Sequence, residues 1–295
     1  MAMTAMNTSN GFIRSSLAMA AELRERAARD GYLFLPGLLP DTTIASVRDA
    51  VCTELVSAGW ADPDDPTRAR THVRGTCILA PELGFLDIYR TIYRQRPFHE
   101  LPHHPRLIAA LTQVLGEPVL PHPRHILRVQ TPGSARWSTP PHQDHHHIRG
   151  TTNTWTAWIP LTDCSEGLGG LAVQPGSHRL GNLPVHQADG AGGCAVTPTD
   201  LPWHRGSFTA GDVLLLHSLC VHQAQDNITT DRFRLSLDCR YQHAGEPIHA
   251  ASLEPHEGLA QWEEIYAGWD KNAATRYYWR DHAINVVDAD FDLER

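Results

Sequence analysis

The sequence predicts a mainly β fold, a sandwich or jelly roll, with helices flanking it. Three observations lead there. Between Pro118 and His243 the chain falls into six or more short runs rich in β-branched and aromatic residues, broken by Pro and Gly. On either side of that stretch, apolar residues recur at helical spacing instead. Hydrophobic residues make up 41% of the 295, enough for a sizeable core and too many for a disordered chain. No linker, repeat or low-complexity tract divides the sequence. It reads as one domain over 1–295, with N-terminal helices over about 16–116, a β core over about 118–243 and a helical segment over about 250–295.

Local signals justify each element in turn. Ser16 can cap a first helix that runs to Arg29 and stops at Asp30-Gly31. Tyr32 to Leu35 is a short apolar strand ended by Pro36-Gly37. Asp41 caps a second helix, on which Ile44, Val47, Val51 and Leu55 share a face before Gly59 closes it. A third helix spans Leu107 to Leu115 and ends at Gly116. Candidate strands follow at 125–130, 142–144, 154–161, 170–174, 213–217 and 232–242. A last helix carries Leu259, Trp262, Tyr266 and Trp269 on one face.

Composition excludes several classes of function. The 25 Lys and Arg against 33 Asp and Glu give a net charge of −8, with no basic run, so nucleic acid is not expected as a partner. No apolar run reaches the roughly 20 residues of a membrane helix. Cysteines at 52, 77, 164, 194, 220 and 239 form no CxxC pair and read as reduced thiols of a cytoplasmic protein. The first dozen residues lack the apolar run of a signal peptide, and Leu293-Glu294-Arg295 is not a peroxisomal address. What stands out is the count of 19 histidines.

Two of these histidines suggest a metal. In Pro140-Pro141-His142-Gln143-Asp144, residues 142 and 144 would share one face of a strand and could turn an imidazole and a carboxylate to one ion. Those are two of the three ligands of the 2-His-1-carboxylate triad of non-haem Fe(II) oxygenases. His222 is the candidate third ligand, with His217 its competitor. Beyond it, Arg234, Ser236 and Asp238 alternate with Phe233, Leu235 and Leu237. A polar stripe on a central strand calls for an anionic partner, and the Arg fork grips a carboxylate through two bonds. Singly, each residue also suits a plain surface role. His142 could follow a surface turn, and Arg234 could pair with an exposed acid.

The order of these motifs resembles the phytanoyl-CoA dioxygenase family of Fe(II)/2-oxoglutarate oxygenases over nearly the whole chain. Asp30-Gly31-Tyr32-Leu33-Phe34-Leu35-Pro36-Gly37 resembles the family's N-terminal strand and turn, and Pro141-His142-Gln143-Asp144 its metal motif. Trp158-Ile159-Pro160-Leu161, Gly169-Gly170-Leu171 and Pro175-Gly176-Ser177-His178 resemble its central strands. Gly211-Asp212 leads on to His222, Asn227 and the Arg234 strand. The resemblance implies a double-stranded β-helix (a jelly roll), with iron held by His142, Asp144 and His222. It implies 2-oxoglutarate and O2 as cosubstrates, with Arg234 on the far carboxylate and Trp158 beside it. The spacing from His222 to Arg234 is one residue longer than the family pattern, which leaves Arg232 as an alternative anchor. Ser236, Arg128 and Gln130 are further candidate contacts of the cosubstrate. His145, His146 and His147 continue the metal motif, two of them as loop residues in this reading. Trp137 and Trp155 fit either core packing or a substrate wall.

The implied reaction oxidises an unactivated C–H of a small, mostly apolar metabolite, releasing succinate and CO2. Asp144 stands where related halogenases carry Ala or Gly, so hydroxylation, desaturation or ring chemistry is expected rather than halogenation, with hydroxylation preferred. Two rival readings remain. A binuclear zinc hydrolase would need a histidine at 140, where the sequence has Pro. A non-catalytic jelly-roll binding protein would not need the triad.

Overall fold

A computed structural model describes residues 11–75 and 83–288. Cys77, residues 1–10 and the C-terminal Leu293-Glu294-Arg295 lie outside them. The helices are α1 (Ala20–Asp30), α2 (Asp41–Ser57), α3 (Leu83–Tyr93), α4 (Arg96–Glu100), α5 (Pro105–Leu115), α6 (His145–Ile148) and α7 (Trp262–Ile265). The strands are β1 (Tyr32–Leu35), β2 (Val119–Pro121), β3 (Ile126–Gln130), β4 (Trp155–Pro160), β5 (Leu171–Val173), β6 (Val185–Gln187) and β7 (Cys194–Val196). They continue with β8 (His204–Arg205), β9 (Val213–His217), β10 (His222–Ala224), β11 (Arg234–His243), β12 (Pro247–His249) and β13 (Asn285–Val287).

The strands make a larger antiparallel sheet in the order β1-β9-β4-β11-β2 and a smaller one in the order β10-β5-β8. β11 organises the larger sheet. It pairs with β4 on one side, and on the other with β3 along its first half and β2 along its last residues. This is the mainly β sandwich with flanking helices that the sequence predicts.

Period-2 alternation sorts the two faces of the larger sheet. Leu33, Leu35, Ala157, Ile159, Val213, Leu215, Leu235, Leu237 and Tyr241 share one core with Ile44, Val47, Val51 and Leu55 of α2 and Leu107 and Leu111 of α5. Tyr32, Phe34, Trp158, Leu214 and Leu216 point the other way, into a second core shared with Leu171, Val173 and Phe208. Strands covered on both faces read as continuous apolar runs, as in Tyr32–Leu35. β11 is the exception: its inner residues Arg234, Ser236, Asp238, Arg240 and Gln242 are polar and all buried.

Several boundaries differ from the sequence reading. α1 begins at Ala20 rather than near Ser16. The Ser16 carbonyl and hydroxyl instead accept from the Met19 and Ala18 N–H groups in a preceding turn. Gly31 closes α1 in the left-handed region (φ 69°), where a side chain would also strike the His178 ring. Asp41 lies inside the first turn of α2, where its charge suits the helix dipole, and Pro40 is the cap. α3 was not expected, although Phe85, Ile88, Tyr89 and Ile92 have its spacing. The last helix shrinks to the single turn α7, and the aromatic run holds together by ring contacts instead. Trp262 stacks on Tyr266 at 5.5 Å, and Tyr266 meets Trp269 at 4.9 Å.

The sharpest correction concerns 142–144, which is not a strand. Pro140 and Pro141 have no N–H to give a ladder, so only His142 pairs, as a single bridge to His222. Asp144 already has helical dihedrals (φ −59°, ψ −28°) and starts α6.

Candidate functional site

His142, Asp144 and His222 converge despite that correction. The His142 N–H donates to the His222 carbonyl at 2.9 Å, and the His222 N–H donates back at 3.1 Å. This exchange fixes the two rings 4.1 Å apart. The turn into α6 then brings the Asp144 Oδ1 to 3.6 Å from the His142 Nε2 and 3.9 Å from the His222 Nε2. One atom from each residue falls within 4.8 Å of the others, and all three side chains are buried.

The orientation of each imidazole is set from behind. The Nδ1 of His142 faces the Pro140 carbonyl at 2.9 Å, and that of His222 faces the Cys220 carbonyl at 2.9 Å. A carbonyl only accepts, so Nδ1 carries the proton in both rings and each Nε2 turns its lone pair inward. Burial, and then the neighbouring His142 ring, push the His222 pKa down to about 4, which keeps it a neutral ligand. Burial alone would raise the Asp144 carboxyl. Arg240, followed by the two imidazoles, outweighs it and holds the group well below the usual carboxylate range. Thr156 on β4 donates to the Asp144 Oδ2 at 2.5 Å and leaves Oδ1 facing the histidines. Two imidazoles that turn Nε2 inward and one oriented carboxylate are the donor set that suits Fe(II).

Two chambers meet at this cluster. Arg128, Thr139, His142 and Asp144 line both. The inner, narrow one continues past Trp158 and His222 to Arg234 and Asp238. The outer one, of about 580 Å³, continues past Ile126, His147, Arg124 and Arg240 to His256 and Glu257.

Of the residues singled out in the sequence, Arg234 is buried at the inner end, its guanidinium carbon 5.7 Å from the Trp158 ring. Ser236 lies next on the same face, and its buried hydroxyl has no hydrogen-bond partner among the described residues. A donor held back for a ligand oxygen has this appearance. Arg232 is elsewhere, donating to Thr67 at 3.0 Å. His217 packs on Trp155 and His178, away from the cluster. Arg128 lines both chambers and donates through Nε to the Asp238 Oδ2 at 3.0 Å. Gln130 is outside the inner wall and ties Ser138 to the Gln225 carbonyl instead. Trp155 belongs to the helix-side core, while Trp137 borders a small pocket beside Arg234. Of the three consecutive histidines, only His147 faces the outer chamber, and His146 meets the Leu183 carbonyl.

The sequence reading missed Thr156, Arg240 and Arg124. Thr156 and Arg240 lie directly opposite each other across β4 and β11. Extending the alternation of residues 234, 236 and 238 by one more step reaches Arg240. Arg124 sits in an irregular loop and has no such signal.

Comparison with known proteins gives this geometry a context. The family profile described as phytanoyl-CoA dioxygenase (PhyH) matches residues 27–236. The chain belongs to the phytanoyl-CoA dioxygenase family. It is 30% identical over 240 residues to the 1-deoxypentalenic acid 11-beta-hydroxylase of Streptomyces exfoliatus, covering 76% of this chain and 82% of that one. The enzyme of the same name from Streptomyces arenae is 28% identical over the same shares. Among solved structures, the epimerase SnoN in complex with Fe3+, alpha ketoglutarate and nogalamycin RO is 25% identical, with a TM-score of 0.55 over 83% of this chain and 93% of that one. The carbocyclase SnoK, at 20% identity and a TM-score of 0.56, shares the fold over 80% of this chain and 89% of its own.

As a member of the phytanoyl-CoA dioxygenase family, the chain is an iron- and 2-oxoglutarate-dependent dioxygenase that uses O2. Among the described residues, the triad is the one group of three or more His, Cys, Asp or Glu side chains placed to hold a metal ion. No helix among them is long and apolar enough to cross a membrane.

Proposed function

We propose that the protein hydroxylates an unactivated C–H bond of a small, mostly apolar metabolite. In this reading His142, Asp144 and His222 hold the iron, and Arg234 holds the far carboxylate of 2-oxoglutarate. The observation that carries it is the convergence of the three side chains where two chambers meet, His142 and Asp144 lining both and His222 the inner one, with one chamber ending in a buried guanidinium and the other large enough for a metabolite. When bound, the iron and its cosubstrate supply oxidation by O2, with succinate and CO2 released.

The chain's own residues bind, orient and shelter. Pro140 and Cys220 carbonyls hold the imidazole protons on Nδ1. Thr156 fixes which carboxylate oxygen of Asp144 faces the metal. Arg234 presents a planar fork to a carboxylate, with the Ser236 hydroxyl on the same strand face. Trp158 and Leu216 give the inner chamber an apolar wall. The metabolite's target carbon then lies on the outer side of the triad.

The test is anaerobic addition of Fe(II) and 2-oxoglutarate to the purified protein. We expect a visible charge-transfer band, and on admission of O2 the formation of succinate. His222→Ala should abolish both. A protein that shows neither band nor succinate with any metabolite panel would end this reading.

A further inference from the structure

The outer chamber has a feature that hydroxylation of an apolar skeleton does not require: two arginines, Arg124 and Arg240, line it without reaching the inner chamber. His122 and His256 line the same chamber; burial disfavours their protonation, and both arginines disfavour it further. Arg240 is more than nine-tenths buried, and its Nε and Nη1 have no hydrogen-bond partner among the described residues. Its nearest charges, Asp144 and Asp238, are reached by Nη2 alone, both at 3.8 Å. Asp238 is already bonded to Arg128 at 3.0 Å, and Asp144 faces the two histidines. Arg124 is steadied by its Nε on the Glu254 carbonyl at 3.2 Å, a neutral acceptor, and no carboxylate forms an ion pair with it among the described residues. Glu257 lines the chamber too, but is half exposed and turned to His256 at 3.4 Å.

A buried guanidinium that faces a cavity with donors unused, as Arg240 does, and a second, part-exposed guanidinium on the same wall are complementary to an oxyanion. We propose that Arg124 and Arg240 form a seat for a carboxylate of the substrate, so that the metabolite is an acid with an apolar body. The seat lies across the metal cluster from Arg234, which gives the two chambers separate anion sites. This rests on the oxygenase reading and names the substrate class of the same site. Ile126 and Ile148 line the same chamber and offer the apolar body its contacts.

One pair of probes tests it: adamantane-1-carboxylate and 1-adamantanemethanol, which share a cage and differ in charge. Each is titrated into the anaerobic Fe(II)–2-oxoglutarate holoenzyme, following the visible band and, separately, the heat of binding. The acid should bind at least about 10-fold tighter than the alcohol. Arg124→Met should remove at least about 10-fold of the acid's affinity and leave the alcohol and 2-oxoglutarate within about two-fold. Arg124 is part-exposed and spares the triad, so this variant tests the seat without the folding risk of Arg240→Met. Equal affinities for the two probes, or no binding of the acid, overturn the proposal. So does an Arg124→Met variant that weakens 2-oxoglutarate as much as the acid, since the seat would then serve the cosubstrate. A protein that prefers the acid by calorimetry but forms no band would overturn the oxygenase reading and leave the seat standing.

Discussion

His142 and His222 exchange both of their main-chain hydrogen bonds, at 2.9 and 3.1 Å. The spacing of the two imidazoles is therefore a property of the backbone and not of the side chains themselves. Removing one ring should leave the bridge in place. We expect His142→Ala to unfold within a few degrees of the parent, because the lost side chain has no apolar packing role, while iron binding disappears. Thermal melts beside an iron titration check this. A large drop in melting temperature would show that the ring, not the bridge, holds the two segments together.

Among the described residues, Thr156 supplies the one side-chain hydrogen bond to the Asp144 Oδ2. Thr156→Val keeps the shape and loses the donor. Groups in this position commonly affect metal affinity by about 10- to 100-fold, so iron affinity should fall by about 10-fold or more. Titration followed by the visible band measures it, and an unchanged affinity would exclude Thr156 from positioning the carboxylate.

Arg232 and Arg234 separate cleanly by location. Arg234→Lys replaces a fork with a point charge at the inner end, and the KM for 2-oxoglutarate should rise by about 10-fold or more. Arg232→Lys, beside Thr67, should leave that KM unchanged. Succinate formation at varied 2-oxoglutarate measures both, and the opposite pattern would move the anchor to Arg232.

Buried histidines also make the fold sensitive to acid. Burial pushes His99 down to about 4 and His122 down to about 3 from an ordinary 6.5. In the folded chain both stay neutral where the unfolded chain would already bind protons. Their contribution is therefore complete above about pH 6.5 and is lost as the pH falls towards 4, by about 1.4 kcal/mol per histidine per pH unit. Melting temperatures should decline between about pH 7 and about pH 5, and His99→Gln should flatten the decline. A profile that is level over this window would contradict it.

Much of this protein was legible in its sequence, and the reasons are physical. Alternation made β11 readable, since Leu235 and Leu237 need a core and Arg234 and Ser236 cannot sit in one. β9 was found end to end, because an apolar run covered on both faces has only one plausible form at that length. Residues 142–144 were misread because an HxD spacing looks the same on a strand and across a turn into a helix. The two prolines ahead of it were the clue, since they cannot extend a ladder. Arg124 was hidden for a different reason: its loop reaches the outer chamber only through the packing of distant segments, such as the Glu254 carbonyl that holds it.

The division of labour along β11 has a consequence for anyone altering this enzyme. Substituting Arg234, Asp238 or Arg240 changes what the cavities recognise, while the odd-numbered neighbours from 235 to 241 go on filling the helix-side layer. Deleting a single residue near the start of that strand would do something quite different. Every later side chain would swap sides, sending guanidinium and carboxylate groups under the helices and leucines into the chambers. Diversification of this scaffold should therefore proceed by replacement at fixed length, with insertions confined to the loops.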